Sequence, residues 1–259
     1  AAMVSPTRGT ANTGPRVGPV VIEEILYHPP THAHEYVKLT NTSGDVIPLY
    51  DPANPSNTWT VSGIDFAFPP ETRLTAYDTL LLVRDIITPG QFRLTYNVPA
   101  SVEIFAYPGA LDNDADTLVV KKPGLPEAAT GYVPKIAVER VKYHDSAPWP
   151  AEADGLGKAL HRVSETAYAN DHANWQAAPA SYAPQFSTLV VHGGSGGGGY
   201  TAGTVVQIQA DPPSPQQVFV RWIGNIAGVA DPGADSTSCT VSGQDAVISA
   251  LYATGSVFV

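Results

Sequence analysis

The chain has 259 residues, more than one ordinary core needs, so one large β domain or two smaller ones is expected, and two is the working division. With 24 Pro and 23 Gly against 14 Lys and Arg, and a charged fraction of 15% where roughly 25% is usual, long helices are not expected. Hydrophobic residues at 43% exclude a disordered chain, and the formal charge of −10 repels phosphate backbones, so nucleic acid is not an expected partner.

Residues 1–19 carry two positive charges, no acid and no large apolar residue beyond Val and Met, which predicts an extended arm without a core of its own. The opening at Ala1, with Met3 inside, has the look of a processed or trimmed product. From Val20 the texture becomes β-rich: VVIEEILYHPP, HEYVKLTNTSGDVIPLY, WTVSGIDFAFPP, TLLLVRD, SVEIFAYP and DTLVVKKPG, each closed by a Pro, Gly, Asn or Asp cluster. That spacing predicts a sandwich or barrel rather than alternating strand and helix. EYVKLTN alternates as a half-buried strand does, whereas Leu80–Val83 lacks alternation and is expected to be covered on both faces.

Residues 143–184 are irregular but hold Trp149 and Trp175, as expected of an ordered strap pinned by aromatic anchors. A second unit begins near residue 187, where LVVHGGSGGGGYTAGTVVQIQADPP, VFVRWIG and DAVISALYAT read as strands and turns. It carries Arg221 as its one Lys or Arg and four acids. The divisions expected are an arm at 1–19, a sandwich with its strap at 20–186, a small β domain at 187–254 and a tail at 255–259. No apolar run nears the ~18 residues of a membrane span, and Cys239 has no second cysteine to pair with.

The first unit resembles the lamin tail domain, an immunoglobulin-like sandwich that also recurs in bacterial extracellular proteins. The matching pieces are VVIEEILYHPP, HEYVKLTN, YDTLLLVRD, ALDNDADTLVV, VKYHDSAPWPAEADGLGKALHRV and YANDHANWQAAPASYAP, spanning residues 20–184. The second unit is similar to the divergent internalin-type B repeat of bacterial surface proteins, through its Tyr-x-x-Gly-Thr-Val and Phe-x-x-Trp-x-Gly steps. These resemblances imply an all-β protein, an immunoglobulin-like β-sandwich followed by a small second β domain. They also imply a secreted, noncatalytic cell-surface module for display, adhesion or assembly, with no catalytic residue to carry over. No heptads precede the lamin-like part, so nuclear filament chemistry does not transfer, and a B repeat present in one copy points to a longer parent protein.

Several constellations have a chemical reading beside a bland one. His28, His32, His34 and Glu35 put four potential metal ligands within eight residues, against the reading of solvated histidines on a Pro-rich loop with Glu35 as part of the strand motif. Asp112, Asp114 and Asp116 alternate like the start of a calcium loop. The sixth and twelfth positions, however, are Thr117 and Pro123 rather than Gly and an acid, so a tight acidic turn is the plainer account and Ca²⁺ only an incidental ligand. GGSGGGG at 193–199 matches both a nucleophile elbow and a dinucleotide loop, yet a strand pattern follows where both need a helix. Glu23 and Glu24 are adjacent on one strand and face opposite ways, which argues against paired-acid hydrolysis. Trp149, between prolines, is the candidate platform for a sugar ring, and otherwise a core anchor with Trp175 and Trp222.

The expected function is a noncatalytic extracellular structural or adhesive protein with no required cofactor. It is expected to self-assemble into a filament or layer through sheet edges, the N-terminal arm and the terminal strand-like Val257, Phe258 and Val259. Two other readings stay open: a monomeric adhesin module for carbohydrate or protein, and a metal-dependent enzyme using His28, His32 and His34.

Overall fold

A computed structural model describes residues 15–30 and 33–254. The protein is all-β; among the described residues the helical parts are one short α-helix and three single-turn 3-10 helices, and no helix is long and apolar enough to cross a membrane. The chain divides into two compact units: one holds the described residues up to Pro89 together with Pro99–Ser181, and the other holds Gly90–Val98 with the residues from Tyr182 onward.

In the first unit the strands are β1 (Val20–Leu26), β2 (Tyr36–Asn41), β3 (Ile47–Pro48), β4 (Tyr50–Asp51), β5 (Asn54–Thr58), β6 (Thr60–Ser62) and β7 (Phe66–Ala67). They continue as β8 (Arg73–Leu74), β9 (Thr79–Arg84), β10 (Glu103–Tyr107), β11 (Ala115–Pro123), β12 (Lys135–His144), β13 (Lys158–Arg162) and β14 (Trp175–Pro179). Two sheets enclose the core, a six-stranded one in the order β10-β9-β2-β1-β13-β14 and a four-stranded one in the order β12-β11-β6-β7. Inward residues of both sheets meet there: Ile22, Val37, Leu39, Leu80 and Leu82 from the first, Val61, Leu118, Val120 and Val141 from the second. Leu80–Val83 is buried at every position, because β9 lies between β2 and a parallel β10 and both of its faces are covered. The strap adds Trp149 and Trp175 to the same core, their ring centroids 6.2 Å apart.

One polar tie joins the two sheets from inside. Arg162, on β13, has a fully enclosed guanidinium that bonds to Glu139 on β12 and donates to the carbonyls of Ile22 (3.1 Å), Ser164 (3.0 Å) and Ala167 (2.5 Å). Burial pushes the Glu139 carboxyl up and Arg162 pulls it back. A guanidinium without water is tolerable only when its N–H groups find acceptors, and Arg162 has acceptors on β1, on β12 and in the strap.

The second unit contains α1 (Pro89–Tyr96) from its second residue on, and strands β15 (Phe186–His192), β16 (Gly194–Ser195), β17 (Gly198–Thr201), β18 (Val205–Ala210), β19 (Gln217–Gly224), β20 (Ser236–Thr240) and β21 (Ala246–Thr254). Its sheets run β17-β15-β21-β19 and β16-β18-β20 around Trp222, Leu189, Ile208 and Ile248. The indole of Trp222 donates to the carbonyl of Ala234 at 2.9 Å. Helix α1 is held by Gln91, whose amide donates to the Ala202 carbonyl at 2.7 Å. The glycine run before β17 is a turn and two short strands. Gly196 sits at φ +103°, and a Cβ there would come within 2.5 Å of the Gln207 carbonyl, so the run exists for close backbone approach.

Removing one partner of the enclosed pair leaves the other charge uncompensated. Arg162→Met is expected to destabilise the first unit by about 3–5 kcal/mol, read from the guanidinium chloride midpoint of its unfolding transition, with a loss under about 1 kcal/mol counting against this role.

Candidate functional site

The histidines and acids singled out along the chain take separate places. His28 follows β1 and its Nδ1 lies 2.5 Å from Asp154 Oδ1, both side chains over a third exposed, with Gly155 against the imidazole, where a Cβ would lie 3.2 Å from Cε1. His34 is partly buried, and desolvation lowers its imidazole pKa. Glu35 points into the protein, where its Oε1 accepts from the Tyr107 hydroxyl (2.8 Å) and the Leu111 N–H (2.9 Å), with Arg84 3.8 Å from Oε2. His32 lies outside the described residues. Among the described residues no group of three or more His, Cys, Asp or Glu is arranged to hold a metal ion. The structure therefore does not bring His28, His34 and Glu35 together: Glu35 is inside, tied to Tyr107 and Leu111, while His28 faces Asp154.

Asp112, Asp114 and Asp116 form the tight acidic turn into β11 rather than a cation loop. Asp112 Oδ1 accepts from the Asp114 N–H at 2.9 Å, Asp116 Oδ1 accepts from the Thr117 N–H at 2.6 Å, and the Tyr143 hydroxyl donates to the Asp112 carbonyl at 2.7 Å. The carboxylates of Asp112 and Asp116 bind local backbone, and the three acids form no cation-holding group. Trp149 corrects the stacking-platform reading: it is 7% exposed and packs on Trp175 in the core, leaving no ring face for a sugar. Glu23 and Glu24 have separate partner sets, Lys38 and Thr40 for the first, Tyr36, His161 and the Ser181 N–H for the second. Val257, Phe258 and Val259 and residues 1–14 lie outside the described residues; Pro19, at the end of the arm, accepts from the Thr42 N–H at 2.8 Å.

What the first unit does assemble is an open groove of about 700 Å³. Its walls come from six stretches of chain: Arg16, Gly18 and Pro19; residues 47, 48 and 50–52; Trp59; residues 122–125; residues 136–140; and Tyr168. Trp59 and Tyr50 are almost wholly buried, and Arg73 lies 5.6 Å over the Tyr50 ring while donating to its hydroxyl at 2.6 Å. That bond and the cation over the ring lock the aromatic wall. Leu125, 89% exposed, and Ile136, 47% exposed, offer apolar surface beside it, and Lys122, Arg140 and Arg16 stand around it with Asp51.

Strand β12 forms one side of this groove and is an edge, paired with β11 alone. Glu139 pairs with Val120 and Ala137 with Lys121, so Val138 is the extra residue of a bulge. Farther along, the Lys142 N–H is taken by the Asn170 side chain of the strap at 2.8 Å. A bulge, flanking lysines and a strap contact blunt the edge against open-ended strand addition, leaving side-chain recognition as what the groove offers.

No known protein-family model matches the chain, and no curated protein does. The groove went unread in the sequence because its parts are scattered; the available signal was KKPGLPE and PKIAVERVK, where cations alternate with exposed apolar residues on two paired strands.

The interior carboxyl gives a pH test. Burial raises the Glu35 pKa above its ordinary 4.5 and Asp116 adds to the rise, while the Leu111 N–H, Tyr107 and Arg84 oppose it. The folded state therefore holds this proton more tightly than the unfolded chain, a stabilisation complete below the unfolded value and lost as pH climbs through the folded one. In thermal unfolding across a pH series, the midpoint of Glu35→Gln relative to the unaltered protein is expected to rise as pH increases above 4.5; a pH-independent difference would show that Glu35 does not titrate in this way.

Proposed function

We propose that this chain is a noncatalytic, exported structural or adhesive module that works by surface contact, its groove taking a polypeptide segment that carries apolar and acidic side chains. The observation that carries the reading is the groove's construction: a base fixed by the buried Trp59 and Tyr50, exposed Leu125 and Ile136, and a rim holding three cations and the half-buried Asp51 on a protein whose formal charge is −10. Apolar contact supplies affinity in such a site and the rim charges supply orientation. A polypeptide offers both kinds of side chain at short spacing.

The resemblance to lamin tail and B-repeat domains supports the same reading, because in bacterial extracellular proteins such modules display and assemble rather than turn over substrate. Contact through side chains in the groove, beside a blunted edge, is the form of assembly proposed, in place of unrestricted sheet extension.

Selection of a displayed library of random peptides against the intact protein tests this reading. Peptides enriched in Asp or Glu with apolar neighbours are expected, losing about tenfold or more in affinity when the exposed pair is changed to Leu125→Asp with Ile136→Asp. Selected peptides that bind this variant equally well, or a selection that yields none, would refute the groove as a binding face.

A further inference from the structure

We infer that the groove's partner is a second copy of this chain, entering through the acidic end of the same β11–β12 ribbon, so that copies join head to tail. The inference rests on the groove being a polypeptide-binding face. Lys121, Lys122 and Lys135 stand at one end of these two strands, Arg140 faces Val119 midway along them, and Lys142 faces Thr117 toward the other end. Glu139, between them, is neutralised by Arg162.

At the other end the sign reverses. Asp112 and Asp114 lead into β11, Asp116 is its second residue, and Asp145 follows β12, its N–H bonded to the Asp114 carbonyl at 2.8 Å, so four acids outnumber Lys142 there. The closeness of these acids is felt by the aromatic pair packed beneath them. Tyr27 and Tyr143 lie 4.7 Å apart, and both phenols are pushed up, first by burial and then by Asp154 and Asp145 for Tyr27 and by Asp116, Glu35 and Asp112 for Tyr143. Strand β11 has nine residues, so the two ends stand about 30 Å apart at ~3.3 Å per residue. The ribbon is thus a rod with opposite charge at its ends, longer than the screening length of roughly 8 Å at physiological salt, and each end acts on a neighbour separately.

Three properties select a second copy in head-to-tail register. Two basic ends repel and two acidic ends repel, so a reciprocal pairing of like ends is disfavoured, while acidic end into basic groove is attractive. The acidic turn is already shaped, with Asp112 and Asp114 exposed and held by the Asp112 to Asp114 turn and the Tyr143 hydroxyl, so little ordering cost falls on binding. A contact between two different patches of one molecule does not close on itself unless the rotation returns, and propagates as an open chain.

The test is a charge exchange in the full chain followed by sedimentation velocity. The unaltered protein at low salt is expected to form species that grow with concentration and fall to monomer at about 1 M salt, where screening cuts the range to roughly 3 Å. Lys122→Glu with Arg140→Glu, and separately Asp112→Lys with Asp114→Lys, are each expected to weaken self-association roughly a hundredfold, and an equimolar mixture of the two to regain it. All four positions are exposed, and near-UV circular dichroism checks that each variant is folded. Should one not fold, Lys122→Gln with Arg140→Gln replaces it, with a weakening of several-fold expected.

A protein that stays monomeric at low salt, variants that associate as well as the original, or a mixture that stays apart would each overturn the inference. If selected peptides still bind the groove while copies do not associate, the second-copy assignment falls and the groove reading stands; if the peptides fail as well, both fall.

Discussion

The guanidinium of Arg162 is the constraint through which the first unit holds its two sheets in register. It reaches from β13 to β12 across the interior, and on the way closes the carbonyls of Ile22, Ser164 and Ala167, so that a central strand, the opposite sheet's edge and the strap share one charged centre. Apolar packing alone tolerates sliding of one sheet over the other, because dispersion is non-directional, whereas a planar fork with fixed donors does not. The position of Glu139 sets the course of β12 on either side of it, and residues 136–140 form a wall of the groove. An interior ion pair thereby shapes an exterior groove.

The division of labour among charges follows from their scarcity. At 15% of the chain, charged residues are few, and several of the acids are spent inside: Glu24 with Tyr36 and the Ser181 N–H, Glu35 with Tyr107 and Leu111, Glu139 with Arg162. Each meets a different set of donors in a different part of the fold, which is the geometry of structural ties rather than of a paired-acid site. Outside, three lysines stand at one end of the β11–β12 ribbon, and four acids with Lys142 stand at the other. A protein that is acidic as a whole thus has a locally basic strip beside the groove.

Some of this was legible along the chain. The unalternating Leu80–Val83 reads as a strand covered on both faces, and β9 lies inside the six-stranded sheet. Glycines at 193–199 followed by a strand pattern read as a turn, and the structure shows backbone approaching too closely there for any Cβ. Trp175 and Trp222 read as core anchors and are buried; Trp149, read either way, is buried with them because the strap folds it against Trp175. Helix α1 was not read, although Thr88-Pro89 is a helix-start signal, since eight residues amid β-rich sequence carry too little periodicity to stand out. The metal reading of His28, His34 and Glu35 failed for a different reason: proximity in sequence says nothing of which side of a strand faces inward, and Glu35 turns to the core.

By itself the sequence determined the class of structure, because Pro and Gly punctuation, β-rich runs of strand length and low charge leave short strands as the way to bury so much apolar surface. It also carried the charge asymmetry, since the cations of 121–142 and the acids of 112–116 are plain in the row of residues. Only the tertiary structure decided what these charges border. The groove is made from six stretches separated by up to about 150 positions, between Arg16 and Tyr168, and no local pattern encodes which edge, which aromatic wall and which rim will meet. That meeting is set by sheet order and by one buried arginine, both properties of long-range packing.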